Sequence, residues 1–228
     1  MNAPSLAAHP HGGGGLLAAG PPPAAARLTV LMIHGRGGSA RDILSLAPEV
    51  GGEEIAFLAP EAYGSSWYPL SFLAPTAANE PYLSSALRRL HEITAELEAG
   101  GVPRERVVLL GFSQGACLAL EFAARSGRRW GGVVAFSGGL IGPPGRSFEI
   151  TETSGDLAGT PIFLGCSDRD PHIPLTRVKE TSAYLRQLGA TVDERIYPGL
   201  PHTVNGDEIA AARQLLATAG AAYEETKP

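Results

Sequence analysis

The sequence predicts an α/β domain with a mostly parallel central sheet and helices on both faces. Three observations predict it. Strand-length apolar runs alternate with segments of helical period along nearly the whole chain. Runs such as Val107-Val108-Leu109-Leu110 are apolar throughout, as in strands covered on both faces. That run also leads straight into Gly111-Phe112-Ser113-Gln114-Gly115 and then into a small-residue helical stretch. A strand–turn–helix of this form thrusts a serine out on a tight turn above a parallel sheet.

The elements follow in order. Leu28–His34 reads as a buried strand, followed by the Gly-rich turn Gly35–Gly38, and Ser39 caps a short helix through about Leu46. Ile55–Leu58 is a second strand, ended by Pro60. Residues 61–79 are aromatic, Pro-containing and aperiodic, which predicts a long loop. From Glu80 to Leu97, apolar residues recur at three and four positions, giving an amphipathic helix stopped by Gly100-Gly101. Beyond the strand Val107–Leu110 come a helix over Gln114–Arg125, a strand over Gly132–Ser137 and a loop over 138–159. The chain closes with a strand Pro161–Gly165, a helix Leu175–Leu188, a strand Thr191–Tyr197, a turn Pro198–Pro201 and a helix Asn205–Ala222.

The chain has 228 residues, enough for one sizeable core. Residues 28–228 read as a single domain, and residues 1–27, rich in Ala, Gly and Pro, as a flexible leader or a short edge strand around Leu16-Leu17. The net charge of −5 and the lack of any Lys/Arg run argue against nucleic acid as a partner. No apolar segment approaches the roughly 20 residues of a membrane-spanning helix, so stable membrane insertion is not expected. The leader lacks a cationic region ahead of an apolar one, and Cys117 and Cys166 make no disulfide framework. Both features fit a cytoplasmic protein with free thiols.

A serine hydroxyl needs an adjacent base, and the base needs an orienting acid. In such sheets the chemistry lies beyond the carboxyl ends of the strands, and the chain order is serine, acid, histidine. Of six histidines, His9 and His11 lie in the leader, His34 comes too early and His91 sits inside a long helix. His172 follows the strand Pro161–Gly165, whereas His202 lies in the turn after the last strand, where the base belongs. Two carboxylates, Asp168 and Asp170, follow the strand Pro161–Gly165, and spacing alone does not choose between them; the proline after Asp170 favours it. A metal site at Asp168, Asp170 and His172 lacks further ligands nearby, and no cofactor is required. Backbone N–H groups of Gln114 and Arg36 are the expected oxyanion donors. Trp67, Tyr68 and Phe72, in the loop after the second strand, are candidates for a substrate-pocket wall. Arg36 has three open roles: solvation, pairing with Asp42 or Glu80, or facing a polar or anionic group of a substrate.

Together, His34-Gly35-Arg36-Gly37, Trp67-Tyr68, Gly111-Phe112-Ser113-Gln114-Gly115, Asp170-Pro171-His172-Ile173-Pro174 and Gly199-Leu200-Pro201-His202 resemble the carboxylesterase/phospholipase family of α/β-hydrolases. That family includes acyl-protein thioesterases and small bacterial esterases. The resemblance spans roughly residues 28–222. It implies an α/β-hydrolase fold without a large cap domain, and a Ser113–Asp170–His202 triad. It also implies hydrolysis of short to medium acyl esters, with thioesterase or lysophospholipase-like work as the alternative and a non-catalytic binding protein as a remoter one. A small-molecule ester is the expected partner, and a homodimer is a further expectation from the family. Two departures, Arg36 after His-Gly and Cys166-Ser167 ahead of the acid loop, bring the chain closer to bacterial esterases than to enzymes acting on palmitoylated proteins.

Overall fold

The computed structural model describes residues 9–147 and 155–226. Seven strands form one sheet: β1 (Leu16–Ala19), β2 (Leu28–Ile33), β3 (Ile55–Pro60), β4 (Val107–Phe112), β5 (Gly132–Phe136), β6 (Pro161–Ser167) and β7 (Thr191–Tyr197). Their spatial order is β1-β3-β2-β4-β5-β6-β7, and only the β1–β3 pair is antiparallel. Among the described residues six α-helices accompany them: α1 (Ala40–Leu44), α2 (Ala47–Val50), α3 (Tyr82–Ala99), α4 (Gln114–Ser126), α5 (Leu175–Gln187) and α6 (Gly206–Thr226).

The central strands are buried along their length and divide their side chains between two cores. Leu28, Val30 and Met32 of β2 pack with Ile43, Val50 and Leu216 on the face covered by α1, α2 and α6. Leu31 and Ile33 point the other way, toward Leu90, Leu118 and Val178 of α3, α4 and α5. This two-residue alternation, apolar on both faces, explains why the strands read as unbroken apolar runs.

Two local differences from the sequence reading have simple causes. The helix expected through about Leu46 ends at Leu44 and a second, unforeseen one, α2, follows at Ala47, because Pro48 has no N–H to give the Leu44 carbonyl one turn back. Ser39 does cap α1, its Oγ accepting from the Asp42 N–H at 3.2 Å. The helix expected from Glu80 starts at Tyr82, behind Pro81.

The leader is not loose over its described part. β1 pairs with β3 along its four residues. Upstream of it, His9 and His11 are buried. His9 Nδ1 meets Ser85 Oγ at 2.8 Å, and His11 Nε2 meets the Trp67 carbonyl at 3.0 Å. The Tyr63 N–H donates to His11 Nδ1 at 3.0 Å, which leaves Nε2 as the protonated nitrogen of a neutral ring. Burial, more than any other influence, holds the His11 pKa below the ordinary histidine value. The leader histidines thus brace the start of the 61–79 loop against α3.

Candidate active site

The β4–α4 turn is built on two close approaches. A Cβ on Gly115 would stand 2.0 Å from the Ile33 carbonyl oxygen, and one on Gly111 would stand 2.4 Å from the Gly115 carbonyl. Only glycine lets the start of α4 pack into the carboxyl ends of β2 and β4. The serine between them adopts φ 55° and ψ −118°. Such backbone stores about 1–3 kcal/mol and persists only where its surroundings over-determine it. Here the Ser113 N–H donates to Phe136 O at 2.9 Å, and the Cys117 N–H donates to Ser113 O at 3.0 Å.

Ser113 Oγ lies 2.8 Å from His202 Nε2, and His202 Nδ1 lies 2.6 Å from Asp170 Oδ2. The carboxylate fixes the Nδ1–H tautomer, so Nε2 is free to accept from the serine. Asp170 Oδ1 accepts from the His172 and Ile173 amides at 2.8 and 3.0 Å. Burial alone would raise the Asp170 carboxyl; the bonds from His202 and the two amides outweigh it and hold the group below the usual aspartate value. Phe112 and His172 flank the imidazole, with ring centroids 5.0 and 4.9 Å from that of His202.

Of the two carboxylates after β6, Asp170 is the one that reaches His202. Asp168 accepts from the Gly199 N–H at 2.7 Å instead, tying the acid loop to the turn that carries His202. Among the described residues no three His, Cys, Asp or Glu side chains gather as a metal site. Cys166 lies behind the acid, its Sγ 3.9 Å from Asp170 Oδ2, and burial first, then that carboxylate, push its thiol up to about 12.

The turn after β2 is cross-linked by His34. Its Nδ1–H donates to Gly35 O at 2.7 Å, and its Nε2 accepts from the Ala62 N–H at 3.1 Å. The Gly37 N–H donates to Ser65 O at 2.7 Å. Gln114 opens α4, where the first amides of a helix have no intrahelical acceptor. Its side chain grips the 61–79 loop twice, accepting from the Trp67 N–H at 2.9 Å and donating to Tyr68 O at 2.8 Å.

A cavity of about 400 Å³ opens over Ser113 and His202. Of the three aromatic candidates, Tyr68 and Phe72 line it; Trp67 does not. Its indole is fully buried, with Nε1 donating to His34 O at 2.9 Å, so it supports the loop from beneath. The sequence reading missed Leu70, Cys117, His172 and Ile173 as lining residues. The spacing of Cys117, one turn after Ser113 on α4, would have identified it. Burial pushes the Cys117 thiol up to about 12, so it lines the cavity as an inert group.

Glu208 holds the far side of the His202 turn. Asn205 Oδ1 accepts from the Asp207 and Glu208 amides, and Glu208 Oε2 accepts from the Asn205 N–H at 2.9 Å, a reciprocal cap on α6. Glu208 Oε1 is buried without a hydrogen-bond partner. Burial raises its carboxyl from 4.5 to about 7. A carboxyl raised by folding binds a proton on folding, so it costs nothing at low pH and destabilises increasingly as pH rises from about 4.5 through 7. Glu208→Gln is expected to match the parent protein near pH 4 and to exceed its stability by about 2–3 kcal/mol near pH 8. Denaturant unfolding across that range checks it; a difference independent of pH would refute the assignment.

A family model described as phospholipase/carboxylesterase matches residues 20–219. The chain belongs to this family. Its fold is the α/β-hydrolase fold, and it is an ester-hydrolysing enzyme. A solved phospholipase/carboxylesterase from Dyadobacter fermentans is 43% identical, with a TM-score of 0.83, covering 90% of this chain and 96% of that one. A probable carboxylesterase, SOBER1-like, from Arabidopsis thaliana is 29% identical over 80% of this chain and 75% of its own length. Acyl-protein thioesterase 1 of Yarrowia lipolytica is 28% identical over 79% of this chain and 87% of its own. Among the described residues no helix is long and apolar enough to cross a membrane.

Proposed function

We propose that the chain is a serine carboxylesterase acting on esters of short to medium acyl chain through a Ser113–His202–Asp170 triad. The observation that carries this reading is the hydrogen-bonded run from Asp170 through His202 to Ser113 Oγ beside an open cavity. Ser113 Oγ attacks the ester carbonyl while His202 Nε2 takes its proton. Asp170 holds the imidazole in register and stabilises its cationic form. The backbone N–H groups of Gln114 and Arg36 receive the oxyanion. His202 returns the proton to the departing alcohol, leaving an acyl-enzyme. Water, deprotonated by the same imidazole, then releases the acid and regenerates the hydroxyl. No metal or organic cofactor takes part in these steps.

The open form of the cavity supports the chain-length reading. Lined by Leu70, Phe72 and Ile173 and open at its mouth, it would leave the far end of a palmitoyl chain in water, whereas a short acyl group lies wholly against the wall. Hydrolysis of p-nitrophenyl esters of graded length is expected to peak at short to medium chains and to vanish in Ser113→Ala. A peak at the longest chains would favour the thioesterase reading, which the resemblance to the Yarrowia protein keeps in view. Palmitoyl-coenzyme A, offered in parallel, separates the two directly.

A further inference from the structure

The wall of the cavity over Ser113 is mostly apolar or neutral, and among its lining residues Arg36 alone bears a fixed charge. No lining residue is a carboxylate. The Arg36 side chain is exposed but not loose. Its Nη1 donates to Pro69 O at 2.7 Å and its Nη2 to Leu70 O at 2.5 Å. Both acceptors are neutral carbonyls, so the guanidinium is oriented while its charge stays uncompensated. A guanidinium has five N–H donors, and three remain for another acceptor. Asp42 and Glu80, the carboxylates the sequence offers as its partners, make other bonds. Asp42 accepts from Ser39 Oγ at 2.7 Å, and Glu80 accepts from the Ser84 amide and hydroxyl at 3.0 and 2.8 Å. Asp170, closer to the reacting atoms, is covered by His202 and by the amides of His172 and Ile173.

A solvated arginine serving only solubility has no need of a fixed orientation at the rim of a reaction cleft. Fixing it in advance removes the entropy that a long side chain would otherwise lose on meeting a ligand. The chain carries a net charge of −5, so a cation held at this one mouth also draws anions toward a surface that otherwise repels them. The imidazole of His172 lines the same cavity and packs edge-on to His202.

We propose that Arg36 is a specificity-determining residue and that the substrates of this esterase carry an anionic group, a carboxylate or a phosphate, that meets its guanidinium. The inference rests on Ser113 being the nucleophile. The anionic group sits on either the acyl or the alcohol half of the ester, and matched pairs distinguish the two. Monomethyl adipate against methyl hexanoate, followed by pH-stat, places the charge on the acyl half. 3-Carboxy-4-nitrophenyl butyrate against 4-nitrophenyl butyrate places it on the alcohol half, each rate being divided by that for hydroxide alone. In at least one pair the anionic ester is expected to have the higher kcat/KM by about tenfold, expressed chiefly in KM. That ratio falls to one or below in Arg36→Met, is partly kept in Arg36→Lys, and shrinks as salt is raised for the unaltered enzyme. Ratios at or below one in both pairs, or a ratio insensitive to both salt and Arg36→Met, would overturn the proposal while leaving the esterase reading intact. Failure of the unaltered enzyme on every neutral and anionic ester would overturn the esterase reading itself.

Discussion

Replacing Ser113 with alanine is expected to lower kcat/KM on any ester by about 10⁴-fold or more, with the fold retained. The hydroxyl lies 2.8 Å from His202 Nε2, within reach of that imidazole as its base. Its removal leaves His202 beside an open cavity, where solvent satisfies the exposed nitrogen, so no buried polar group is orphaned. The strained backbone at φ 55° is imposed by Gly111, Gly115 and the Phe136 carbonyl, not by the hydroxyl. Unfolding free energy should therefore move by less than about 1 kcal/mol. Activity and stability measured on one preparation check both halves. Retained turnover would exclude Ser113 as the nucleophile; a large loss of stability would mean that the serine serves the fold.

Gly115→Ala should have the opposite signature, losing stability and activity together. Its Cβ would stand 2.0 Å from the Ile33 carbonyl oxygen and 2.6 Å from that of His34, both backbone atoms at the end of a central strand. Neither can give way without moving β2 against β4, where the five-residue register Thr29–Ile33 against Val107–Gly111 holds them together. A cost of about 3 kcal/mol or more is expected. Gly37→Ala is the control. Gly37 has a positive φ, 76°, which the helical Gly115 does not, and a Cβ there meets nothing within 4 Å. That variant should lose only the left-handed penalty of about 1 kcal/mol. Equal losses in the two would show that the approach of α4 to β2 is not what makes glycine necessary at 115.

The sheet and the nucleophile's turn were legible because each leaves a local trace. Buried parallel strands have to be apolar on both faces, and Gly111 and Gly115 are required by contacts within a few residues of the turn and one neighbouring strand. His202 could be singled out by its position after the last strand. The choice between Asp168 and Asp170 was not settled by spacing, because both follow β6 and both bond across to the β7 side. One reaches the imidazole and the other the Gly199 amide, a difference of direction that two-residue spacing does not encode.

What lay outside the sequence's reach were contacts over long separations. The Ala-, Gly- and Pro-rich leader looks loose, yet His9 and His11 find Ser85 and Trp67, 76 and 56 residues away. Trp67 was grouped with Tyr68 and Phe72 as a pocket wall because aromatic residues in a loop suit either a wall or a core. Its indole N–H found the His34 carbonyl under the loop and settled inward. Arg36 was expected to remain solvated, to pair with Asp42 or Glu80, or to face substrate. Local caps engage those two carboxylates: Asp42 is held by Ser39 and Glu80 by Ser84, each within four residues in sequence. Short-range bonds claimed the acids before a long-range partner could, and the arginine turned to the carbonyls of the facing loop.

The central claim is that Ser113, activated by His202 and Asp170, is the atom that takes the acyl group. Intact-protein and peptide mass spectrometry after reaction with a fluorophosphonate tests it most directly, because the adduct marks the attacking atom independently of which ester is preferred. The account predicts one adduct per chain, on Ser113, formed much more slowly in His202→Gln and Asp170→Asn and absent in Ser113→Ala. An adduct on another residue, or unlabelled protein that still hydrolyses esters, would contradict it.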